Sequence, residues 1–341
     1  MKNYTIWFAI LSIVLSCKKE VTTINKSNTA IITPTESWMQ DLITEHPDKD
    51  IKLIDIVLPG AHDAGMYELN NCTFGANACN TQTQSLNFYQ QLMQGVRIFD
   101  VRPSVANNKI YTEHSTGCGG FGCKGGLLEN IYSDINRFLD THAELVILEL
   151  SHFCGTSPSD TALISMSNRL LGDKIYKESA SSVIPIIKTP LKEIIGNSGK
   201  GKVILIYEGI ANDSLNKSLG LFSSAIKPNE GRWTNSHSLA SLLQGQINEY
   251  SNFSNDGNKL FQFSWQITQD ETQAITCAIN PDASSIQKTA DSANLALPAT
   301  LNSLIANQQI KKGRIPNIIY FDFSGSALSR ECIRISKLNL E

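Results

Sequence analysis

Four apolar runs of the chain end in ionisable residues. In chain order these residues are His62 with Asp63, Asp100 with Arg102, His114, and Asp322. Side chains alternate across a strand, so Ile98, Asp100 and Arg102 share one face. An apolar face that ends in a polar residue is typical of a strand that packs a core and then opens into a site. Two histidines, an arginine and carboxylates in such positions indicate acid–base chemistry on an anionic substrate.

Strands alternate with helices from about residue 53 onward. The apolar periodicity predicts helices over 85–94, 128–139 and 301–312, and strands over 96–102, 110–114, 145–151, 202–207, 260–265 and 318–323. The Ser- and Asn-rich segment 212–258 predicts irregular loops. Nearly continuous apolar strands between helices are typical of a parallel sheet covered by helices. Because at least four strands end in polar residues, the pattern favours a (β/α) barrel over a doubly wound sheet.

Length and composition agree with one large α/β domain after a targeting segment. The chain has 341 residues, of which 41% are hydrophobic, and a net charge of −3, which does not favour nucleic-acid binding. An apolar run over 4–15 ends in Leu-Ser-Cys, which resembles a bacterial lipobox with Cys17 as the lipidated residue. A plain secretory signal is the alternative. The interpretation is a lipoprotein signal peptide (1–17), a flexible tether (18–36) and a single domain (37–341).

This N-terminus predicts a location as well as an anchor. A lipidated Cys17 would hold the protein on a membrane of the bacterial cell envelope, either in the periplasm or at the surface. An exported chain can keep disulfides. Seven cysteines remain after Cys17, an odd number, so at least one is unpaired unless it pairs between chains. Cys72 with Cys79, and Cys118 with Cys123, are close enough in sequence to close local loops. Zinc is the less favoured use, because neither pair has C-x-x-C spacing.

The motifs around the first two strands resemble the X domain of phosphatidylinositol-specific phospholipase C. Residues 59–65 read Pro-Gly-Ala-His-Asp-Ala-Gly, similar to the family's Pro-Gly-Thr/Ser-His-Asp/Asn-Ser/Ala-Gly. Residues 91–102 follow its pattern Gln-Leu-x-x-Gly-Ile/Val-Arg-x-Leu/Phe-Asp-Ile/Leu-Arg, with Val before the last Arg. The resemblance is close over 54–150 and weak over 151–317. It implies a distorted TIM (β/α) barrel that cleaves a phosphodiester with two histidines.

The resemblance also implies the roles of the acid–base residues. His62 would take a proton from a neighbouring substrate hydroxyl, and Asp322 would orient it. His114 would protonate the leaving oxygen, with Asp63 as its carboxylate support. Attack by the internal hydroxyl would form a cyclic phosphodiester first, with hydrolysis as a slower second step.

The same resemblance bears on the cofactor. Animal members of the family hold calcium with carboxylates at this position, whereas an arginine replaces the ion in metal-independent bacterial members. Arg102 would therefore bind the phosphoryl oxygens, Asp100 would hold Arg102 or the substrate, and no cofactor would be needed. Glu149 ends its strand where the calcium-dependent enzymes have a ligand, so Ca²⁺ or Mg²⁺ is the alternative.

Substrate recognition is less defined by the sequence. Glu149, Tyr207 and Trp265 are the candidate substrate-binding residues. The ends of the fourth and fifth predicted strands lack the Lys or Arg that bacterial members place there, so the sequence does not identify the headgroup of the substrate. Trp233 and Trp265 would stack on a sugar-like ring or, as the favoured interpretation, pack in the core.

Three functions compete on these residues. The first is a phospholipase C-like phosphodiesterase that acts on phosphatidylinositol, a glycosylated relative or another phosphodiester with an adjacent hydroxyl. The second is a metal-dependent glycerophosphodiester phosphodiesterase or sphingomyelinase D-like enzyme. Its ligands would come from Asp63, Asp100, Glu149 and Asp322. The third is a catalytically silent, lipid-anchored binding protein. Arg102 among the carboxylates argues against the second function, and the intact pair of histidines argues against the third.

Overall fold

The computed structural model describes residues 35–178, 185–280 and 285–341, which form one compact unit. The predicted lipidation site, Cys17, and nearly all of the predicted tether lie outside the described residues. Thr35 is buried and its hydroxyl donates to the Met93 carbonyl at 3.2 Å, while the Glu36 carbonyl accepts from Arg97. These two residues were assigned to the tether, but they belong to the packed domain.

Eight parallel strands build the main sheet. They are β1 (Leu58–Ala61), β2 (Ile98–Val101), β6 (Leu145–Leu150), β7 (Lys202–Tyr207), β8 (Leu221–Phe222), β9 (Asn229–Glu230), β10 (Leu260–Trp265) and β11 (Ile318–Phe321). Their order is β8-β7-β6-β2-β1-β11-β10-β9, and every ladder in it is parallel. Within the described residues no ladder joins β8 to β9. The sheet is thus a curled barrel left open on one side.

Helices surround this sheet. They are α1 (Trp38–Glu45), α2 (Ala78–Thr81), α3 (Phe88–Met93), α4 (Leu128–Leu139), α5 (Thr161–Leu171), α6 (Leu191–Ile195), α7 (Ser214–Leu219), α8 (Leu239–Ser251), α9 (Glu271–Ile279), α10 (Ile286–Ala306) and α11 (Ser326–Leu340). In the described part of the chain, no helix is long and apolar enough to cross a bilayer.

Alternation along the strands separates two kinds of core. Inner-face residues form one cluster that includes Leu58, Ile98, Ile147, Ile204, Ile206, Leu260 and Ile318. Outer-face residues such as Phe99, Val101, Leu148 and Leu205 pack against the helices, as do Phe261, Phe263 and Phe321 on the other side. Because successive side chains point to opposite faces, both faces of these parallel strands are apolar. The architecture is a distorted TIM barrel, which confirms the predicted fold class.

A buried ion pair fastens α1 to the amino ends of the strands. The Arg97 Nε atom lies 2.8 Å from Glu144 Oε2, and both side chains are fully buried. The Glu144 carboxylate also accepts the backbone N–H groups of Met39 and Gln40 in the first turn of α1. The two arginines of the motif, Arg97 and Arg102, therefore have different roles, because Arg97 faces away from the carboxyl ends of the strands.

Several predicted elements need correction. Only residues 301–306 of the predicted helix 301–312 are helical, as the end of α10, which stops at Ala306. The helix begins earlier than predicted, at Ile286, because buried alanines, less visible in a hydrophobic pattern, continue its inner face. The segment 212–258 is not irregular throughout, since it contains α8. The segment 110–114 is not a barrel strand. It lies in β4 (Lys109–Ser115), which forms an antiparallel sheet with β3 (Pro103–Ala106) and β5 (Gly122–Leu127).

Candidate active site

A cavity of about 670 Å³ opens at the carboxyl ends of the barrel strands. Inner-face positions alternate along each strand, so the apolar inner residues are followed by polar ones at the mouth. The ionisable residues that line the cavity are His62, Asp100, Arg102, His114, Glu149, His152, Glu208 and Asp322. All of the predicted acid–base residues except Asp63, which lies buried directly behind them, therefore line one cavity.

His62 is held at the end of β1 by a carboxylate. Its Nδ1 lies 2.8 Å from Asp322 Oδ1, and Arg102 Nη2 lies 3.1 Å from its Nε2. In neutral His62, Nδ1–H donates to Asp322 and Nε2 accepts from Arg102. In the charged form, Nε2–H faces Asp63 Oδ2 at 3.5 Å. Burial would lower the pKa of His62, but the carboxylates of Asp63 and Asp322 outweigh it and raise the pKa to about 9.

Two positions, one in β1 and one just after it, restrict which residue can stand there. A Cβ atom at Gly60 would lie 2.7 Å from the ring of Tyr320, so only glycine lets β11 approach β1 this closely. Asp63 has a φ of 42°, which a non-glycine residue adopts rarely. That conformation directs its buried carboxylate beneath the cavity. The motif Pro-Gly-Ala-His-Asp thus encodes a backbone shape as well as the catalytic candidates.

Asp63 is the common neighbour of His62, Arg102 and His114. Its Oδ1 lies 2.8 Å from Arg102 Nε, and its Oδ2 lies 3.5 Å from His62 Nε2 and 3.9 Å from His114 Nε2. The Arg102 contact is an ion pair in which the N–H is not aimed at the oxygen. One buried carboxylate therefore places both imidazoles and the guanidinium around a single site.

His114 reaches this site from the antiparallel sheet. Its Nδ1 lies 2.8 Å from the carbonyl oxygen of Thr81. That carbonyl accepts only from an N–H, so it fixes the tautomer and leaves Nε2 toward the cavity. The predicted support by Asp63 is a charge contact at 3.9 Å, too long for a hydrogen bond. The Thr81 carbonyl, which sequence patterns do not reveal, orients the ring.

Arg102 occupies the centre of the carboxylate cluster. Besides the Asp63 contact, its Nη2 lies 3.0 Å from Asp100 Oδ2. Burial would lower the pKa of Arg102, but Asp100 and Asp63 raise it above its usual value, so the guanidinium stays charged. The remaining face of the fork lines the cavity. A planar cation held in this way can bind two phosphoryl oxygens.

The geometry of these residues also decides whether a metal ion fits among them. One ligand atom each from His62, Asp63 and Asp100 lies within 4.8 Å of the others, as a cation site requires. However, Arg102 lies 2.8 Å from Asp63, 3.0 Å from Asp100 and 3.1 Å from His62. A divalent ion in the same place would stand against a permanent positive charge. These residues do not fit a divalent metal ion.

Glu149 lies at the floor of the cavity rather than among possible metal ligands. It accepts a hydrogen bond from the Tyr320 hydroxyl and pairs with Lys227 Nζ at 3.0 Å. Burial and the nearby Glu149 charge raise the pKa of Tyr320 well above its ordinary value, so the hydroxyl keeps its proton and donates it. Lys227, only 3% exposed, belongs to the segment between β8 and β9. The ion pair therefore ties the segment between β8 and β9, at the open side of the barrel, to β6.

Two of the predicted substrate-binding residues are not in the cavity. Tyr207 is buried on the outer face of β7, where its ring stacks with Phe153 and its hydroxyl contacts Ser167. Trp265 is 1% exposed on the outer face of β10, and its Nε1 donates to the Ala293 carbonyl. Neither residue can line the cavity as a substrate-binding candidate, because both positions point to the outer face of their strands. For Trp265 the structure agrees with the favoured interpretation, packing in the core.

The cavity-lining residues that the sequence analysis missed lie on the inner face of the same strands, where they alternate with outer-face residues. Glu208 lies one residue beyond Tyr207, and Gln262 and Ser264 alternate with the outer-face aromatics of β10; all three line the cavity. Trp233, favoured as a core residue, is instead 52% exposed at the cavity rim. A strict two-residue period, applied to the predicted strands, identifies Glu208, Gln262 and Ser264.

Three disulfides tie the segments around the mouth together. They are Cys72–Cys123, Cys79–Cys277 and Cys118–Cys154. The local pairings that sequence proximity indicated are wrong, because each cysteine pairs with a distant segment. Cys332 is buried and unpaired, in agreement with the odd count.

Comparisons with known proteins extend this picture. No family model matches the chain. A PI-PLC X-box domain-containing protein of Dictyostelium discoideum is 25% identical over 196 residues, which are 54% of this chain and 24% of that protein. The 1-phosphatidylinositol phosphodiesterase of Staphylococcus aureus (strain Newman) is 24% identical over 186 residues, 54% of this chain and 48% of the enzyme. The chain thus matches between a quarter and a half of the length of these curated relatives.

A solved structure shares the fold over nearly the whole chain. The phosphatidylinositol-specific phospholipase C from Listeria monocytogenes superposes with a TM-score of 0.61 at 19% identity, covering 89% of this chain and 99% of that one. The chain therefore has the distorted TIM-barrel fold of this solved structure. The sequence matches agree with the motifs: the chain is similar to a PI-PLC X-box domain-containing protein and to a 1-phosphatidylinositol phosphodiesterase, which confirms the resemblance that the motifs predicted.

Proposed function

We propose that the chain is a phospholipase C-like phosphodiesterase that uses His62 and His114 as acid–base catalysts. The observation that carries this proposal is the convergence of both imidazoles and Arg102 on Asp63, within 3.9 Å, at the mouth of the barrel. Proton transfer needs two groups on one site, and charge that develops on phosphoryl oxygens needs a fixed cation. The arrangement supplies both proton-transfer groups and the cation.

The proposed reaction has one proton acceptor and one proton donor. Neutral His62 takes the proton of a substrate hydroxyl adjacent to the phosphodiester, and the freed oxygen attacks phosphorus. Arg102 binds the non-bridging oxygens as their charge grows. The bond between phosphorus and the leaving oxygen breaks, and protonated His114 gives that oxygen its proton. The products are a cyclic phosphodiester and an alcohol, and hydrolysis of the cycle is a slower second step.

Phosphatidylinositol, or a glycosylated relative, is the proposed substrate class. The cavity continues beyond the acid–base residues to Glu149, Glu208, Gln262 and Ser264. These side chains offer hydrogen-bond acceptors and donors that suit the hydroxyls of a polyol headgroup. The S. aureus and L. monocytogenes proteins to which this chain is similar are named for action on phosphatidylinositol, which supports the same class.

A substrate screen followed by phosphorus NMR tests the function and separates it from a silent binding protein. We expect a cyclic phosphodiester signal with phosphatidylinositol. His62→Ala and His114→Ala should each lower turnover by at least about 10²-fold, because each removes a proton-transfer partner. His46→Ala, at the end of α1, is the matched control and should keep the wild-type rate. Wild-type rates in either active-site variant would exclude the assignment, and no turnover on any phosphodiester would favour the silent protein.

The second candidate, a metal-dependent phosphodiesterase, is disfavoured, because Arg102 lies against His62, Asp63 and Asp100, the three residues whose ligand atoms group closely. Excess EDTA separates the two enzymes. We expect the rate to stay unchanged in EDTA, since Arg102 supplies the charge, and Arg102→Lys to lose most of the activity because an ammonium lacks the two-pronged fork. Loss of turnover in EDTA with recovery on adding calcium or magnesium would establish the second candidate instead.

We also propose that Cys17 is lipidated and anchors the protein in the bacterial cell envelope, at the periplasmic side or the surface. The lipobox-like ending of the apolar segment supports this proposal. Mass spectrometry of the mature protein should find a diacylated N-terminal Cys17, and Cys17→Ser should abolish that mass and release the protein from membranes. An unmodified N-terminus at another residue would contradict the anchor.

A further inference from the structure

The two halves of the proposed acid–base site are held in different ways. His62 and Arg102 each follow a barrel strand directly, and these strands, β1 and β2, are hydrogen-bonded neighbours in the main sheet. Asp322 follows β11, on the other side of β1. His114 instead stands on β4, outside the barrel, and Thr81, whose carbonyl orients its ring, ends the four-residue helix α2. The position of the proposed proton donor therefore depends on elements outside the barrel.

One disulfide acts on the strand that carries His114. Among the described residues, the last backbone hydrogen bond from β4 toward the barrel comes one residue earlier, where Glu113 N–H donates to the Arg102 carbonyl at 3.0 Å. His114 lies beyond this bond, and its cross-strand partner is Cys123 of β5. Cys123 is buried and bonded to Cys72, a link that we call the hairpin disulfide. The residue opposite His114 is thus fixed covalently to a third segment.

The turn that joins β4 to β5 adds little stiffness of its own. Residues 116–122 include four glycines, which have more backbone freedom to lose than any other residue. Cys118–Cys154 holds the tip of this turn, four residues beyond His114. The hairpin disulfide acts at the rung of His114 itself, so it fixes the position of this residue more closely than the turn does.

A second disulfide holds the carbonyl that orients the His114 ring. Cys79 lies two residues before Thr81 and is bonded to Cys277 of α9, a link that we call the α2 disulfide. A helix of a single turn is not stable alone, because few hydrogen bonds offset the cost of ordering it. Among its nine described residues α9 buries Cys277 alone, so apolar packing between α2 and α9 is slight. The α2 disulfide is therefore the main link that holds α2.

Hydrogen bonds across this contact direct α2 but do not replace the covalent link. Three side-chain amides donate to carbonyls of the facing segment: Asn77 to Cys277, Asn80 to Ala274, and Gln269 to Cys79. Each such bond is exchanged for a bond to water when the segments separate, so its net contribution is small.

The chain beyond Thr81 is attached to the barrel independently. The Thr83 hydroxyl donates to the Asp63 carbonyl at 3.0 Å, and Gln84 Nε2 donates to the His62 carbonyl at 2.9 Å. Loss of the link between α2 and α9 would then change the direction of the Thr81 carbonyl without displacing the residues around His62. The two halves of the site can thus be disturbed separately.

We propose that the hairpin disulfide and the α2 disulfide position His114 for proton donation. Proton acceptance by His62 and phosphoryl binding by Arg102 are independent of both. The proposal rests on the proposed function, because it takes His114 as the general acid. The four cysteines are positioning residues, which act on the reaction only through His114. A donor displaced by about 1 Å can cost about 10²-fold in rate, so loss of either link should slow the protonation of the leaving oxygen.

A comparison of leaving groups separates loss of the proton donor from a general loss of structure. The substrates are an alkyl and a nitrophenyl phosphodiester of inositol, both soluble in water. A nitrophenyl group leaves as a stable phenolate and needs no proton, whereas an alkyl oxygen must be protonated as it leaves. His114→Ala should therefore lose far more rate on the alkyl substrate than on the nitrophenyl substrate, and it defines the signature of a lost proton donor.

The double variants Cys79→Ala/Cys277→Ala and Cys72→Ala/Cys123→Ala should show the same signature. We expect each to lower kcat on the alkyl substrate by at least about tenfold and on the nitrophenyl substrate by less than about twofold. Cys332→Ala, which changes the buried, unpaired cysteine of α11, is the control and should keep both rates. Equal losses on both substrates, or an unchanged alkyl rate, would overturn the proposal. Each double variant tests it alone, so if one does not fold the other decides.

Nitrogen-15 NMR of the His114 ring tests the positioning without turnover. In the wild type the neutral ring should carry its proton on Nδ1, facing the Thr81 carbonyl. In Cys79→Ala/Cys277→Ala the other tautomer should appear beside it, while the His62 signals stay unchanged. The His114 signals are assigned by their loss in His114→Ala. An unchanged His114 tautomer in both double variants would overturn the proposal. If no chain turns over any phosphodiester, the proposed function fails, while the tautomer still decides whether the disulfides orient His114.

Discussion

The charge state of His62 offers the sharpest test of the proposed chemistry. Burial opposes its protonation, but Asp63 and Asp322 raise its pKa from the ordinary 6.5 to about 9. A shift of that size corresponds to about 3 kcal/mol in favour of the imidazolium. At pH 7 only about one molecule in a hundred then carries neutral His62. Since a general base acts in its neutral form, kcat/KM should rise about tenfold per pH unit from 7 to nearly 9 as long as His114 keeps the proton that it must donate.

Asp322→Asn removes the carboxylate 2.8 Å from Nδ1. The pKa of His62 should fall by at least about one unit, because a neutral amide no longer stabilises the imidazolium. The rising limb of the pH–rate profile should move to lower pH by the same amount, while the maximal rate drops because the ring loses its orienting partner. Proton NMR titration of the imidazole gives the pKa directly, with the signal assigned by its loss in His62→Ala.

The exposed Asp48→Asn provides the control and should leave both the titration and the profile unchanged. The reasoning fails if wild-type His62 titrates near 6.5, or if Asp322→Asn leaves the limb in place. The same shift affects stability. A pKa raised in the folded state adds stability below about pH 6.5, which is lost as the pH rises to about 9. His62→Ala should therefore flatten the fall in unfolding free energy over this interval.

Two further predictions concern buried ion pairs. Glu144→Gln leaves the fully buried Arg97 without its counter-ion and weakens the start of α1. The free energy of unfolding, measured by urea titration, should therefore fall by about 3–5 kcal/mol. A loss under about 1 kcal/mol would show that this ion pair does not stabilise the fold. Lys227→Met leaves the Glu149 carboxylate at the cavity floor without its cation at 3.0 Å, and because Glu149 is partly exposed we expect a smaller loss of about 2 kcal/mol. An unchanged unfolding midpoint in Lys227→Met would contradict a role of this ion pair in holding the segment between β8 and β9 against β6.

Sequence periodicity was most reliable where both faces of an element are buried. The strand β7 begins and ends at the residues predicted, because a continuous apolar run between polar ends admits few other structures. The bounds of β10 are also as predicted, although Gln262 and Ser264 interrupt its apolar residues. The helix α4 was equally clear, with Leu128, Ile131, Ile135 and Phe138 at helical spacing and all buried. Tyr207 and Trp265 failed as binding residues although the alternation that places them outside was already present in the sequence.

The sequence by itself determined the barrel class and the catalytic candidates. The motifs at 59–65 and 91–102 encode local shape and chemistry together, such as the close approach at Gly60 and the adjacent pair His62–Asp63. These features depend on residues near one another in the chain, where spacing and geometry are linked by the backbone.

Only the tertiary structure decided which distant groups meet. The Thr81 carbonyl orients His114, Lys227 pairs with Glu149, and Cys79 bonds to Cys277 across a separation of 198 residues. Such pairs depend on how loops of different strands return to the same mouth, and periodicity within a single segment carries no information about that. The physical reason is that ion pairs, disulfides and hydrogen bonds act over a few ångströms in space, whatever their separation along the chain.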